Sequence, residues 1–307
     1  MDETVRAVII GAGPAGAAAA MYLKRAGLEP LLLEKAEPGG LLHEANLVEN
    51  YPGFPEGVAG KELASKIAAQ LHRLDVRLER AVAERVETIG QAFETQTDDG
   101  NYTSEAVIIA TGTKPKKAYV SGIETIEGKR LFYGVSSLPQ DGIGEKRVTI
   151  LGGGDAAFDY AINLSDKGGL VTILTRSEPT CLPLLAERAH ERRVKVFVGC
   201  TATAFAARPN GVAITCMNDE GLREIASDYV IVAHGREPQL DILDPTLRGK
   251  MVTDYPPRTE IPGLFLAGDV VRGKNRQAAI AAGDGILAAM MIDRYFKNGG
   301  DKHEGNR

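Results

Sequence analysis

A glycine-rich turn between an apolar strand and a small-residue helix occurs twice in this chain, and that repetition restricts the fold more than any other feature. The first copy, Arg6 to Gly16, reads RAVIIGAGPAG. Val8, Ile9 and Ile10 form a β-leaning run that stops at Gly11, and a helix-forming AGAAAAMYLKRAG follows. Gly11, Gly13 and Gly16 fill the slots of GxGxxG. The first glycine permits the tight turn, the second lets a pyrophosphate approach the backbone, and the third lets helix and strand pack closely. A further apolar strand, Pro30 to Leu33, ends on Glu34, where an acid suits the ribose hydroxyls of an adenine dinucleotide. From Arg147 the pattern returns. Strand Val148–Leu151 leads into GGGDAA, in which Gly152, Gly154 and Ala157 take the GxGxxG/A slots. A helix to about Asp166 and strand Leu170–Leu174 follow. The chain is therefore expected to be α/β, with two Rossmann-like dinucleotide-binding domains, the second inserted in the first.

The 307 residues suffice for two domains with separate cores. No window reaches the apolar length of a membrane span. The acidic MDETV start, without a basic-then-apolar leader, predicts a cytoplasmic protein. A formal net charge of −5 disfavours nucleic acid as a partner. Cys181, Cys200 and Cys216 form neither a CxxC nor an even set, so they read as reduced thiols rather than a disulfide framework or zinc site.

Between the fingerprints, AEPGGLLHEANLVENYPGFPEGVAG is a long Gly/Pro-rich loop of the kind that carries function. Gly39 and Gly40 permit close backbone approach to a ligand, and Asn50 sits in a turn with polar side chains to offer. A helix is expected over about Lys61–Arg73. Short strands follow at Val76–Leu78, Val82–Val86, Ala92–Thr95 and Tyr102–Ala110, the last running into Thr111-Gly112 beneath a bound dinucleotide. Val230 to Gly235 echoes that strand end. Gly263–Asp269 closes an apolar strand on glycine and a carboxylate, and a helix runs from Arg276 to Phe296. The polar tail GGDKHEGNR predicts disorder.

Taken together, GAGPAG with Glu34, GGLLHEANLVENYPGFPEG, IIATGTKP, GGGDAAFDYA, VIVAHGREP, GLFLAGDV and RQAAIAAGDG resemble the low-molecular-weight thioredoxin reductase family and its ferredoxin–NADP reductase relatives, over nearly the whole chain. The resemblance implies a fold of the pyridine nucleotide-disulfide oxidoreductase type. It implies an FAD-binding domain from 1–117 and 241–307 and an inserted NAD(P)H-binding domain from 118–240. Short hinges would lie near Lys114–Tyr119 and Gly235–Leu240, and the assembly would be a homodimer. It assigns Gly11, Gly13, Pro14, Ala15 and Gly16 to the FAD pyrophosphate, with Glu34 and Lys35 on the adenosine ribose. Gly40, Leu41 and Asn50 border the flavin, Val82 offers backbone to the adenine, and Ala110, Thr111 and Gly112 lie near the pyrophosphate. Asp269 binds the ribityl chain, while Arg276, Gln277 and Ala278 sit beside the isoalloxazine. A helix beginning there aims its positive end at the ring. On the nicotinamide side it implies Gly152, Gly154, Asp155, Ala156, Thr175, Arg176, Ser177 and Gly235.

The departures carry the functional expectation. The family's thioredoxin reductases have a CxxC just before the second fingerprint, whereas this chain reads YGVSSLPQDGIGEKR there. Hydroxyls at Ser136 and Ser137 cannot accept two electrons as a disulfide. Leu41 stands where the family has glutamine. Thr175-Arg176-Ser177 replaces His-Arg-Arg, leaving one guanidinium for a 2′-phosphate and no acid to grip a free ribose, which favours NADPH over NADH. The chain is expected to pass electrons from flavin directly to an outside acceptor: a ferredoxin- or flavodoxin-like protein, a quinone or another small acceptor. The alternatives are a non-catalytic redox or nucleotide sensor and a flavoenzyme reduced by another donor. His43, in the flavin loop, is a weak candidate proton donor. Arg272, Lys274 and Arg276 form a cationic run able to dock an acidic redox protein.

Overall fold

The computed structural model describes residues 2–139, 142–218, 221–248 and 259–299. The apolar run before Gly11 forms strand β1 (Asp2–Ile10), and the alanine-rich segment after it forms helix α1 (Pro14–Arg25). Continuing along the chain come β2 (Leu31–Glu34), a 3₁₀ turn at Gly40–Glu44, the short β3 (Leu47–Val48) and β4 (Val58–Ala59), and helix α2 (Gly60–Arg73). Strands β5 (Arg77–Arg80), β6 (Ala83–Ile89), β7 (Ala92–Thr97), β8 (Gly100–Ile109), β9 (Thr113–Pro115) and β10 (Leu131–Phe132) precede the second fingerprint. That fingerprint joins β11 (Arg147–Leu151) to α3 (Asp155–Asp166), and β12 (Leu170–Leu174), α4 (Pro183–Glu191) and β13 (Lys195–Phe197) follow. Next are β14 (Thr201–Arg208), β15 (Gly211–Asn218), β16 (Gly221–Ser227), β17 (Tyr229–Val232) and β18 (Arg236–Pro238). A short helix α5 (Pro245–Arg248), strand β19 (Leu264–Leu266) and the long α6 (Ala278–Lys297) complete the order.

Contacts divide the chain into two units. The first holds 1–43, 48–114 and 237–307, and the second holds 44–47 and 115–236. In the first, β5, β2, β1 and β8 pair in parallel, with β1 between β2 and β8. The long β8 serves two partners along one edge. Its first half pairs antiparallel with β7 (Phe93 opposite Ser104), and its second half pairs in parallel with β19 (Phe265 opposite Ile108). Side chains alternate across the pleat. Val8, Ile10, Leu31, Leu33, Val107 and Ile109 enter one core with Phe93, Leu243 and Leu266, while Ile9, Leu32 and Ile108 are buried on the opposite face.

In the second unit β10, β17, β11, β12 and β13 form an all-parallel sheet covered on both faces, as such sheets must be. Ile150, Ile173 and Ile231 pack with Phe158 and Ala161 of α3 and Ala189 of α4. Leu151, Leu174, Val230 and Val232 pack with Phe205, Ile214 and Cys216 of the antiparallel β14–β15–β16 layer and with Cys200 just before it. In both sheets the fingerprint strand lies between the strand it reaches through its helix and a strand reached later. The order therefore reverses at the C-terminal ends of β1 and β11, the position where dinucleotides settle in this architecture.

The strands and helices expected from sequence are present. Helix α6, however, starts at Ala278 rather than Arg276, because Gln277 is extended (φ −144°) as its N-cap. The disorder expected of the polar tail falls on residues 300–307, outside those described.

Candidate functional site

The first glycine turn is built as its sequence demands. Gly11 has φ +101°, and a Cβ there would lie 2.5 Å from the Ala110 carbonyl oxygen. A Cβ on Gly16 would lie 1.8 Å from Gly11 O, so α1 reaches the strand end only because neither residue has a side chain. Gly13 differs. A Cβ there would meet no protein atom nearer than Gly40 Cα at 4.0 Å. Gly13 is also the N-cap of α1, with Pro14 first in the helix and no side-chain oxygen capping the first-turn amides. Those amides, uncapped by any side chain, are the donors an anion would use. Glu34 is buried at the end of β2, its Oε2 accepting the Ala12 amide at 2.7 Å and its Oε1 the Ala36 amide at 3.0 Å. Each oxygen keeps a further lone pair for a ribose hydroxyl. Lys35 beside it is exposed.

Several expected neighbours are brought to this turn. The Gly39 amide donates to Ala12 O at 2.8 Å, placing Gly40 against Gly13, and Leu41 is 36 % exposed. Asn50 Nδ2 donates to Gln277 Oε1 at 2.7 Å, joining two residues 227 positions apart. Ala110 N donates to Ile10 O, while the Thr111 hydroxyl donates to Gln239 O at 2.6 Å and leaves Gly112 with open space above it. His43 is held for a structural task, since its Nε2 donates to Pro38 O at 2.9 Å and closes the Gly39–Gly40 turn. The Val82 amide is committed to Asp98 Oδ1 at 2.7 Å, so contact with an adenine there would run through the Val82 carbonyl. Asp269 lies in a 3₁₀ turn, Gly268–Val270, next to the α6 N-terminus with Arg276, Gln277 and Ala278. Arg272, read from sequence as part of a cationic docking run, is instead paired through Nε and Nη2 with the buried carboxylate of Asp284.

The second turn repeats the design. Gly152 has φ +139°, and a Cβ there would lie 2.4 Å from Ala233 O. Gly154, the N-cap of α3, would meet nothing nearer than 4.0 Å. Asp155 and Ala156 are exposed at the helix start, and Asp155 Oδ1 accepts the Leu182 amide at 2.8 Å. The Thr180 amide donates to Gly153 O at 2.8 Å, so the segment after β12 folds back over the turn. Within it Thr175 is buried and its hydroxyl donates to Ser177 O at 2.8 Å. Thr175 therefore shapes the loop rather than offering a donor, and Arg176 and Ser177 are the exposed pair. Gly235 (φ +99°) and His234 follow β17 on the other flank. Burial, and then the Arg176 charge, lower the His234 pKa, so this ring is neutral at neutral pH.

The three cysteines are free, with Cys200 and Cys216 buried together beneath the antiparallel layer. Burial and the adjacent Cys216 sulfur push Cys200 up to about 12, leaving it a thiol and not a nucleophile. Cys181 is half-buried before α4, and burial raises its pKa too. In the stretch before the second fingerprint, Ser136 donates its hydroxyl and amide to Glu44. Among the described residues no His, Cys, Asp and Glu cluster is arranged to hold a metal, and no helix is long and apolar enough to cross a membrane.

Asp159, in α3, has no signal in the sequence that marks it as a perturbed group. Its Oδ2 accepts the Asn46 amide at 2.9 Å, and the Leu47 amide points at it too, yet burial outweighs both and raises it to about 6. The native state thus binds this proton more tightly than the unfolded chain. Wild-type stability gains as pH falls from about 7 to about 4, while ionised Asp159 costs stability above that window. A two-unit shift corresponds to about 3 kcal/mol, and partial exposure with weaker amide bonds in the variant reduces this to about 2 kcal/mol. Asp159→Asn should therefore raise the denaturation midpoint at pH 8 and not at pH 4. An equal effect at both pH values would contradict the assignment.

Fold and site define a class, that of enzymes carrying two dinucleotide sites in one chain. The chain belongs to the pyridine nucleotide-disulphide oxidoreductase family, whose pattern matches residues 5–285. Within it the chain is similar to thioredoxin reductases. It is 33 % identical to that of Treponema pallidum, over 96 % of this chain and 98 % of the relative. The Lactococcus lactis thioredoxin reductase structure aligns with TM-score 0.87 at 29 % identity, over 96 % and 99 % of the two chains. The T. acidophilum thioredoxin reductase aligns with TM-score 0.86 at 31 % identity over the same shares. The protein is an FAD-dependent NAD(P)H oxidoreductase of this thioredoxin reductase-like family. Its residues fit those groups. Two helices open on glycine N-caps without side-chain caps, and Gly13 and Gly154 leave unfilled the space that a pyrophosphate would occupy.

Proposed function

We propose that this protein oxidises NADPH and delivers the electrons to an acceptor outside its own chain, with no internal dithiol relay. The observation that carries this reading is the placement of its sulfur. The stretch before the second fingerprint has no cysteine, Cys200 and Cys216 are sealed in a core, and Cys181 has no partner thiol. FAD, when bound, supplies the exchange between two-electron and one-electron chemistry.

The chain's own residues bind and orient. The domain boundaries expected from sequence assign 1–117 and 241–307 to FAD and 118–240 to the nucleotide. Gly11, Gly13, Ala15 and Gly16 present amides to the FAD pyrophosphate, while Pro14, which has no N–H to offer, sets the first turn of the helix. Ala110, Thr111 and Gly112 lie alongside. Glu34 and Lys35 take the adenosine end and the Val82 carbonyl the adenine. Asp269 takes the ribityl chain, and Gly40, Leu41, Asn50, Arg276, Gln277 and Ala278 surround the ring. The N-terminal end of α6 favours negative charge at the ring edge nearest it. Gly152, Gly154, Asp155, Ala156 and Gly235 frame the nicotinamide nucleotide. Arg176 with Ser177 selects the 2′-phosphate, because a guanidinium fits a phosphate in two-pronged fashion. The acceptor is an acidic redox protein, a quinone or another small molecule, and the assembly is a homodimer.

Anaerobic mixing of the purified holoprotein with NADPH tests the reading. The visible flavin band should bleach, and a following one-electron dye or quinone should restore it, while oxidised thioredoxin should not. A band unmoved by NADPH and NADH would point instead to a sensor or to another donor. Rapid restoration by thioredoxin would defeat the proposal.

A further inference from the structure

We propose that Asp284 is a positioning residue for the FAD site, holding the turn that presents Asp269. The inference rests on the reading that this turn binds FAD. Asp284 projects from α6 with its side chain 4 % exposed, so its charge is removed from water. Its Oδ2 accepts the Gly268 amide at 3.3 Å and Arg272 Nε at 2.7 Å, and its Oδ1 accepts Arg272 Nη2. One carboxylate thus grips the chain on both sides of Asp269, at the first residue of the Gly268–Val270 turn and two residues beyond its last.

The neighbouring positions show what this grip fixes. A Cβ on Gly285 would lie 1.9 Å from Ala15 O, and one on Gly268 would lie 2.8 Å from Ala15 Cβ. Helix α6 therefore rests on the fingerprint residue Ala15 through Gly285 and on the Asp269 turn through Asp284, at adjacent positions in sequence. The two points assigned to the FAD pyrophosphate and ribityl chain are referenced to one rigid helix. Stability alone does not account for such a pair, because apolar side chains in place of a buried ion pair hold a fold as well or better. A carboxylate facing an amide and a guanidinium does set where the turn lies.

The test is FAD titration of the apoprotein, followed by flavin fluorescence, with apoprotein melting measured in parallel. Asp284→Asn keeps the shape and an acceptor for Gly268 but removes the charge that orients Arg272. Its FAD dissociation constant is expected to rise about ten- to a hundredfold, the usual size for losing a supporting contact behind a binding group. Arg272→Lys, which keeps the charge without the two-pronged geometry, should give a smaller rise in the same direction. It also decides the matter if Asp284→Asn does not fold. FAD affinity within about threefold of wild type in the folded variants, with only apoprotein melting lowered, would overturn the proposal. Asp269→Ala is the control. If it leaves FAD affinity unchanged, the assignment of the turn to FAD fails, whatever Asp284 does.

Discussion

Gly285→Ala is expected to loosen α6 from α1 and to release FAD. The added methyl would sit 1.9 Å from Ala15 O and 2.7 Å from its carbonyl carbon, and both are backbone atoms that no rotamer change can move aside. Alanine improves helix propensity by about 1 kcal/mol. The clash costs about 3 kcal/mol or more, because the helices must separate along their contact. The net loss of at least about 2 kcal/mol corresponds to a fall of about 5 °C in the melting temperature. Ala15 also lies in the first turn of the helix proposed to hold the pyrophosphate, so flavin should appear in the filtrate on ultrafiltration of the variant. An unchanged melt with flavin retained would show that the helices can part at this point without cost.

Arg176→Ala should erase the preference for NADPH. The loop from Leu174 to Leu182 contains no other cation and one acid, Glu178. Thr175 spends its hydroxyl on Ser177 O, and His234 is held neutral by burial and by Arg176 itself. On the proposed reading one guanidinium then carries the charge recognition of the 2′-phosphate, and charge-assisted bonds of this kind contribute about 1.5–3 kcal/mol. Steady-state kinetics should show KM for NADPH rising about ten- to a hundredfold, with NADH little altered. Equal losses with both nucleotides would place Arg176 elsewhere than at the 2′-phosphate.

Sequence revealed those parts of the molecule whose cause is local. Gly11 and Gly152 announce their turns because only glycine tolerates their positive φ beside a neighbouring strand's carbonyl, and Gly16 because its helix touches its own turn. The strands flanking them are apolar and buried on both faces, so each reads as a continuous hydrophobic run. What depends on tertiary placement stayed hidden. Gly285 and Asp284 look like ordinary members of an alanine-rich helix until Ala15 and Arg272 are set beside them. Thr175 reads as a free hydroxyl until its loop folds onto Gly153. Strand β14 gives a weak signal, since only Phe205 of its eight residues is buried. Asp159 acquires its raised pKa from burial, which outweighs the amides of Asn46 and Leu47, more than a hundred residues away in sequence.

The division of β8 between two partners has a consequence for biosynthesis. Its N-terminal half can zip to β7 as soon as both emerge, but its C-terminal half waits for β19, which lies beyond the whole 115–236 insertion. The helix that seats Ala15 is later still. During translation the nearly contiguous second unit can mature while the first remains an open-edged sheet, and long-range closure of this kind is slow. Cofactor capture is thus the closing event of synthesis, and ribosome-stalled chains that stop short of α6 should emerge colourless.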